Sequence, residues 1–202
     1  MKRFFVTGIG TDVGKTIMSA IFMEALNADY WKPIQAGNLD NTDTMTIRSL
    51  ISNSKSVIHS EKFRLSQSIS PHAAAEIDKI KIYMEDFILP ETSNIMIIEG
   101  AGGVMVPLND ECLVIDLIEK LNAEVILVSK NYLGSINHTL LSVNTLKSRN
   151  IPIAGIVFNG KSTTSSEKYI LKHTGLKCLL TIEEEKTIDK NMILKYKKLV
   201  QF

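Results

Sequence analysis

The chain has 202 residues, of which 45% are hydrophobic and 22% are charged, with 23 Lys and Arg against 22 Asp and Glu. This near-neutral balance gives no electrostatic reason to expect nucleic acid or an acidic membrane as a partner. The length predicts a single domain, residues 1–202. The longest apolar run is too short for a membrane span of ~20 residues, and two isolated cysteines suit a reducing compartment, so we expect a cytoplasmic protein.

Short apolar runs rich in Val and Ile alternate along the chain with segments of helical periodicity. Continuous apolar strands are typical of a parallel sheet that is covered on both faces. The pattern therefore predicts an α/β fold, with a central parallel β-sheet flanked by helices on both faces. Residues 53–71 are predicted as a long loop with room for one short strand, and the segment from the acidic run 183–185 onward has no assignment. The predicted strands are 3–6, 31–33, 95–98, 125–128 and 153–158, and the predicted helices are 15–27, 43–52, 113–121, 135–149 and 166–173.

Residues 8–16, GIGTDVGKT, follow the first predicted strand and open the first predicted helix. Small residues let backbone N–H groups wrap a phosphate, a lysine reaches the β- and γ-phosphates, and a hydroxyl coordinates Mg²⁺. Gly14-Lys15-Thr16 meets these requirements, although Gly8 and Gly14 are separated by one residue more than in the common pattern. The alternative is a glycine-rich turn that merely precedes Lys-Thr. The coincidence of strand, glycines, lysine, hydroxyl and helix favours a nucleotide site.

Three charged residues elsewhere have the chemistry that such a site needs. Glu99 follows the apolar run IMII and precedes glycines, which predicts a carboxylate for Mg²⁺ at the carboxyl end of a buried strand. Asp43, in NTDTM, is either a second metal ligand or only the cap of its helix. Lys32, after an aromatic residue and before a proline, either neutralises a phosphate or is a surface lysine. These stretches taken singly leave both alternatives open.

Together the motifs resemble the dethiobiotin synthetase family, whose own version of the phosphate loop has the widened spacing. The resemblance rests, in chain order, on FFVTGIGTDVGKT, WKPIQAG, NTDTM, SPHAAAE, IIEGAGGVMVPL, LGSINHTLLS and GIVFNG. It implies a P-loop NTPase-like sheet and a homodimer whose substrate site lies at the subunit interface. It also implies a reaction in biotin biosynthesis, in which ATP, Mg²⁺ and CO2 close the ureido ring of 7,8-diaminononanoate through a carbamic–phosphoric anhydride.

The resemblance also implies a role for individual positions of this sequence. Lys15 would hold the β- and γ-phosphates, and Lys32 would steady the carbamate and the transferring phosphoryl group; both are the expected catalytic residues. The remaining implied roles are nucleotide binding by Asp12, Val13, Gly14, Lys15 and Thr16 with Asn159 at the adenine, Mg²⁺ binding by Thr16, Asp43 and Glu99, and substrate binding by Lys32, Gly102, Ser135, Ile136, Asn137 and Tyr169.

The sequence departs from the family at two places. Ala36 stands where the family often has a Ser or Thr hydroxyl that touches the carbamate, and LLTIEEEK replaces a Gly-x-Ile-Pro segment of the base-binding loop. His72 and His138 lie near family motifs and are interpreted as structural.

Two other classes share this kind of loop. A partitioning ATPase usually has an additional lysine where this chain has Gly10, and a cobyrinate-type amidating synthetase needs a further glutamine-hydrolysing domain. Both alternatives therefore fit less well.

Overall fold

The computed structural model describes residues 1–202 and contains eight β-strands and seven α-helices. The strands are β1 Arg3–Gly8, β2 Asp29–Trp31, β3 Ile34–Ala36, β4 Phe63–Leu65, β5 Met96–Gly103, β6 Glu124–Lys130, β7 Ile153–Asn159 and β8 Cys178–Ile182. The helices are α1 Lys15–Leu26, α2 Asp43–Leu50, α3 Pro71–Asp78, α4 Val114–Lys120, α5 Ser135–Ser148, α6 Thr164–Thr174 and α7 Lys190–Tyr196.

Six strands form one sheet in the order β2-β5-β1-β6-β7-β8, and every neighbouring pair is parallel. The two short strands β3 and β4 form a separate parallel pair. The predicted α/β architecture with a central parallel sheet is therefore confirmed.

Two hydrophobic cores lie on opposite faces of the sheet, because successive strand residues point to alternate sides. In β1, Phe4 and Val6 belong to the core that contains the buried faces of α1, α2 and α7. Phe5, between them, belongs to the core under α4, α5 and α6. Strands covered on both faces have no polar side, and this explains why their sequences are apolar without alternation.

All five predicted strands and all five predicted helices are present, with shifted bounds. The strand expected at 31–33 lies earlier, at Asp29–Trp31, because Pro33 has no N–H to donate to a sheet. The loop predicted at 53–71 contains one short strand, β4, and ends where α3 begins. The sequence reasoning missed four elements, namely β3, β8, α3 and α7.

The register of the sheet places the ends of the central strands side by side. Val6 of β1 is paired with Glu99 of β5, and Gly8 is paired with Val128 of β6. The loop that follows β1 therefore lies beside the carboxyl ends of its two neighbours, where open α/β sheets bind ligands.

The C-terminal segment packs on α1. Lys197 lies 3.2 Å from the buried carboxylate of Glu24. Phe202 contacts Phe4 and Phe22, with ring centroids 5.1 and 5.6 Å apart. Both cysteines are free thiols. None of the helices has the length and apolar character that crossing a bilayer requires.

Candidate active site

The loop between β1 and α1 is shaped by two residues with left-handed backbone conformations. Asp12 has φ 55° and Gly14 has φ 95°, and Lys15 begins the helix directly afterwards. A Cβ atom at Gly14 would lie 2.4 Å from Nδ2 of Asn159, so both the conformation and the space require glycine there. Lys15 Nζ donates to the carbonyl of Gly10 at 3.0 Å. A helix N-terminus preceded by such a loop is a site for phosphate.

Three oxygen-bearing side chains converge beside Lys15. Thr16 Oγ1 lies 2.9 Å from Asp43 Oδ1 and 2.9 Å from Glu99 Oε1, so its single proton faces two carboxylates. Thr42, not Asp43, caps α2, because its side chain accepts from the N–H of Met45. The possibility that Asp43 serves only as a helix cap is therefore wrong, and its carboxylate faces the other two groups.

Lys32 follows the last residue of β2 and points into this cluster. Its ammonium lies 2.7 Å from Asp43 Oδ2 and 3.0 Å from Glu99 Oε1, and its side chain is only 6% exposed. Burial acts against the charge, but the carboxylates of Glu99 and Asp43 outweigh it and raise the pKa of Lys32. The interpretation of Lys32 as a surface lysine is wrong.

The charges of the cluster are mutually dependent. Burial lowers the pKa of Lys15, with Glu99 acting in the opposite direction and Lys32 in the same one. Burial alone would raise the pKa of Asp43, but Lys32, Thr16 and Lys15 together outweigh it, and the pKa of that carboxyl is lowered. Two lysines and two carboxylates thus share one pocket, with the ammonium groups balancing the anions.

Tyr30 and Gln35 belong to the same region and were missed by the sequence reasoning. The hydroxyl of Tyr30 donates to Glu99 Oε2 at 2.9 Å, and Gln35 Oε1 accepts from the backbone N–H of Asp43 at 3.2 Å. Burial, followed by the charge of Glu99, raises the pKa of Tyr30 well above its ordinary value, so the hydroxyl remains a donor. The available signal was the two-residue spacing from Tyr30 to Lys32, which places both on one face of an extended segment.

Apart from Tyr30, these side chains line a cleft of about 710 Å³. Gly102, with φ 68°, lines it together with Ala36, and Ser68 and Ser70 from the loop before α3 line its other wall. Ser68 Oγ lies close to Gly37, since a Cβ atom there would be only 1.8 Å from it. A hydroxyl is therefore present beside Gly37, the residue after Ala36. The predicted residues that line the cleft are Asp12, Gly14, Lys15, Thr16, Lys32, Asp43, Glu99 and Gly102.

The other predicted residues lie outside this cleft. Asn159 Nδ2 donates to the carbonyl of Val13 at 2.8 Å, which places both residues at the loop but not in the cleft. Asn137 is exposed in the first turn of α5, and Tyr169 is exposed on α6. Ser135 and Ile136 share that first turn of α5, after Gly134 with φ 105°. The substrate-binding roles of these four residues remain predictions.

Of the two histidines near the family motifs, the imidazole of His138 has a hydrogen-bond partner, whereas the buried Nδ1 of His72 has none. Nδ1 of His138 lies 2.6 Å from the hydroxyl of Tyr132 on the protein surface. The backbone N–H of His72 donates to the carbonyl of Pro107 at 3.3 Å. Neither imidazole lines the cleft.

The chain is similar to known proteins over nearly its whole length. A family profile described as an AAA domain matches residues 2–192. The ATP-dependent dethiobiotin synthetase BioD of Cytophaga hutchinsonii is 55% identical, over 97% of this chain and 95% of the relative. The protein of the same name from Christiangramia forsetii is 51% identical, over 96% of this chain and 94% of the relative.

Solved structures with much lower identity share the fold. The septum site-determining protein MinD of Pyrococcus horikoshii, in complex with Mg-ADP, has a TM-score of 0.59 at 12% identity, covering 96% of this chain and 85% of that one. A putative plasmid partition protein of Borrelia burgdorferi, bound to AMPPNP, has a TM-score of 0.58 at 14% identity, covering 98% and 95%. At this level of identity the likeness shows the fold alone.

Proposed function

The chain belongs to the dethiobiotin synthetase family, and we propose that its cleft is the site where ATP and CO2 close the ureido ring of 7,8-diaminononanoate. The observation that carries the proposal is the convergence of Lys15, Thr16, Lys32, Asp43 and Glu99 at one end of the cleft. In this reaction the chain acts as an ATP-dependent carbon–nitrogen ligase of biotin biosynthesis, with residues 1–202 as one catalytic unit. The cytoplasmic location predicted from the cysteine count belongs to the same proposal.

The proposed chemistry activates a carbamate, which is by itself a poor electrophile. One nitrogen of the diamine takes up CO2 as a carbamate, whose oxygen attacks the γ-phosphorus of ATP and releases ADP. The second nitrogen attacks the carbon of the resulting carbamic–phosphoric anhydride, expels phosphate and closes the five-membered ring. Both amines belong to one molecule, so the second attack has a high effective molarity. The protein therefore needs to supply positioning and charge rather than a nucleophile.

The donor set fits Mg²⁺. Thr16, Asp43 and Glu99 offer oxygen atoms only, and Mg²⁺ is usually held by one or two carboxylates together with water and phosphate oxygens. The chain has no cluster of three or more His, Cys, Asp or Glu side chains that would form a closed metal cage. Bound at these three residues, Mg²⁺ would neutralise phosphate charge during transfer.

The two lysines are proposed to divide the remaining charge. Lys15 opens α1 at the end of the phosphate loop, where its ammonium can exchange the carbonyl of Gly10 for phosphate oxygens. Lys32 directly follows β2, the strand next to the one that carries Glu99. It is proposed to stabilise the carbamate and the phosphoryl group during transfer. The backbone at Gly102, where no side chain intervenes, is proposed to lie against the carbamate.

The far end of the substrate is proposed to be bound by a second copy of the chain. Ser135, Ile136 and Asn137 form the first turn of the 14-residue helix α5, in which Ser135 is buried and Asn137 is exposed, and a helix N-terminus suits a carboxylate. Fully exposed Leu133 and half-exposed Tyr169 lie on the adjoining elements and would be covered in such a homodimer. Asn159, in contact with the phosphate loop, is proposed to bind adenine.

The decisive experiment measures ADP release and product mass with MgATP, bicarbonate and 7,8-diaminononanoate. We expect ADP release only when the diamine and bicarbonate are both present, with dethiobiotin formed in equal amount. ADP release at the same rate with and without the diamine would contradict the synthetase activity. It would favour a partitioning ATPase, whose class shares the fold. The absence of a lysine at Gly10 argues against that alternative.

A further inference from the structure

We propose that Tyr30 is a positioning residue of the cation site, which holds the Glu99 carboxylate so that Oε1 faces Thr16 and Lys32. This inference rests on the proposed function in one respect, namely that Glu99 binds Mg²⁺. Tyr30 belongs neither to the phosphate loop between β1 and α1 nor to the residues that line the cleft. Its effect would therefore be exerted entirely through Glu99.

The pairing of β2 with β5 brings the two side chains together. Tyr30 is paired with Ile97 in parallel register. Ile97 and Glu99 lie on the same face of β5, because they are two residues apart. The phenol of Tyr30 consequently extends along this face toward the carboxyl end of β5, and its hydroxyl donates to Glu99 Oε2 at 2.9 Å.

The hydroxyl of Tyr30 is not required for packing. Tyr30 is fully buried among apolar side chains, where a phenylalanine ring would fill nearly the same space. A buried hydroxyl without a partner is unfavourable, and the bond to Glu99 supplies that partner here. Tyr30 is also the only side chain that donates to Oε2.

The two oxygens of Glu99 consequently have separate tasks. Oε1 accepts from Thr16 at 2.9 Å and from Lys32 at 3.0 Å, on the side of the cleft. Oε2 is held from behind by Tyr30. A carboxylate anchored in this way presents one oxygen in a fixed direction, and loss of such a supporting bond typically costs about 10–100-fold in metal affinity or activity.

The test compares the affinity for ADP with and without Mn²⁺, measured by calorimetry on Tyr30→Phe and wild type. Mn²⁺ serves as the probe, and its environment is monitored in parallel by electron paramagnetic resonance. We expect the Mn²⁺-dependent gain in ADP affinity to fall about tenfold in Tyr30→Phe, while the affinity without metal stays unchanged. The ratio of the ADP affinity with Mn²⁺ to the ADP affinity without it is measured on one variant at a time, so a smaller folded fraction does not alter this ratio.

The matched control is Tyr196→Phe, which removes another buried phenol whose hydroxyl donates to a carboxylate, Glu185, at 2.7 Å. This control should keep the wild-type ratio. If Tyr30→Phe also keeps it while Glu99→Gln lowers it, Tyr30 has no positioning role and the inference is overturned with the proposed function intact. If Glu99→Gln keeps the wild-type ratio, the cation role of Glu99 is itself wrong and the inference falls with it.

Discussion

Asn159 at the end of β7 donates from Nδ2 to the carbonyl of Val13, 2.8 Å away, across the carboxyl edge of the sheet. Strand β6 lies between β7 and β1, so the phosphate loop is held from a strand that is not its neighbour. Val13 is flanked by Asp12 and Gly14, both in left-handed conformations, which makes this bond an anchor for the most tightly turned part of the loop.

This contact predicts that Asn159→Ala weakens binding of tripolyphosphate as well as ATP. A neutral hydrogen bond contributes about 0.5–1.5 kcal/mol, so we expect each affinity to fall by up to about tenfold. Calorimetric titration with both ligands provides the measurement. An Asn159→Ala variant that loses affinity for ATP but not for tripolyphosphate would restrict this residue to adenine binding.

Lys32→Met is predicted to destabilise the metal-free protein. It removes the ammonium that lies within 3.0 Å of two carboxylates and leaves the buried Glu99 without a cation in hydrogen-bond contact. Breaking a buried ion pair on one side costs about 3–5 kcal/mol, to be measured by urea unfolding. Added Mg²⁺ should restore part of the loss, because a cation can then occupy the same carboxylates. If Mg²⁺ changed the free energy of unfolding equally in Lys32→Met and in wild type, that result would contradict a Mg²⁺ site at these carboxylates.

Acid should destabilise the fold partly through Asp29. Burial would raise the pKa of Asp29, but hydrogen bonds from Asn94, Thr92 and the Val57 N–H outweigh it and lower the pKa. A lowered folded-state pKa means that the stabilisation is complete above the unfolded value of 3.8 and is lost as pH falls through the folded-state pKa. Asp29→Asn should therefore flatten the decline of unfolding free energy below about pH 4, whereas exposed Asp40→Asn should not.

A subunit-mixing experiment tests the proposed interface site. Lys15→Ala should abolish turnover, and Asn137→Ala should mainly raise the KM for the diamine. If each site combines the phosphate loop of one chain with α5 of the other, mixed dimers contain one intact site of two. Random reassociation of equal amounts should then restore roughly a quarter of wild-type activity at low diamine concentration. If the activity did not recover although subunit exchange had been demonstrated, Lys15 and Asn137 would belong to a site formed within one chain.

Much of the fold was predictable because its signals are local. Strands β1, β5, β6 and β7 are covered on both faces, and their continuous apolar runs are visible without knowledge of their partners. Although α2 and α4 have the same lengths and were predicted, helices α3 and α7, with eight and seven residues, were missed. They are stabilised by contacts with elements remote in the chain, which no local window contains.

The sequence by itself determined the phosphate loop, because GIGTDVGKT places its glycines, lysine and hydroxyl within one turn between a strand and a helix. The tertiary structure decided between the alternatives for Asp43 and Lys32, since Lys32 contacts both Asp43 and Glu99, and Glu99 is 67 residues from Lys32 in the chain. Only the parallel pairing of β2 and β5 brings Tyr30, Lys32 and Glu99 together at one edge of the sheet. Sheet register is a property of the whole fold, and the charges of the site depend on it.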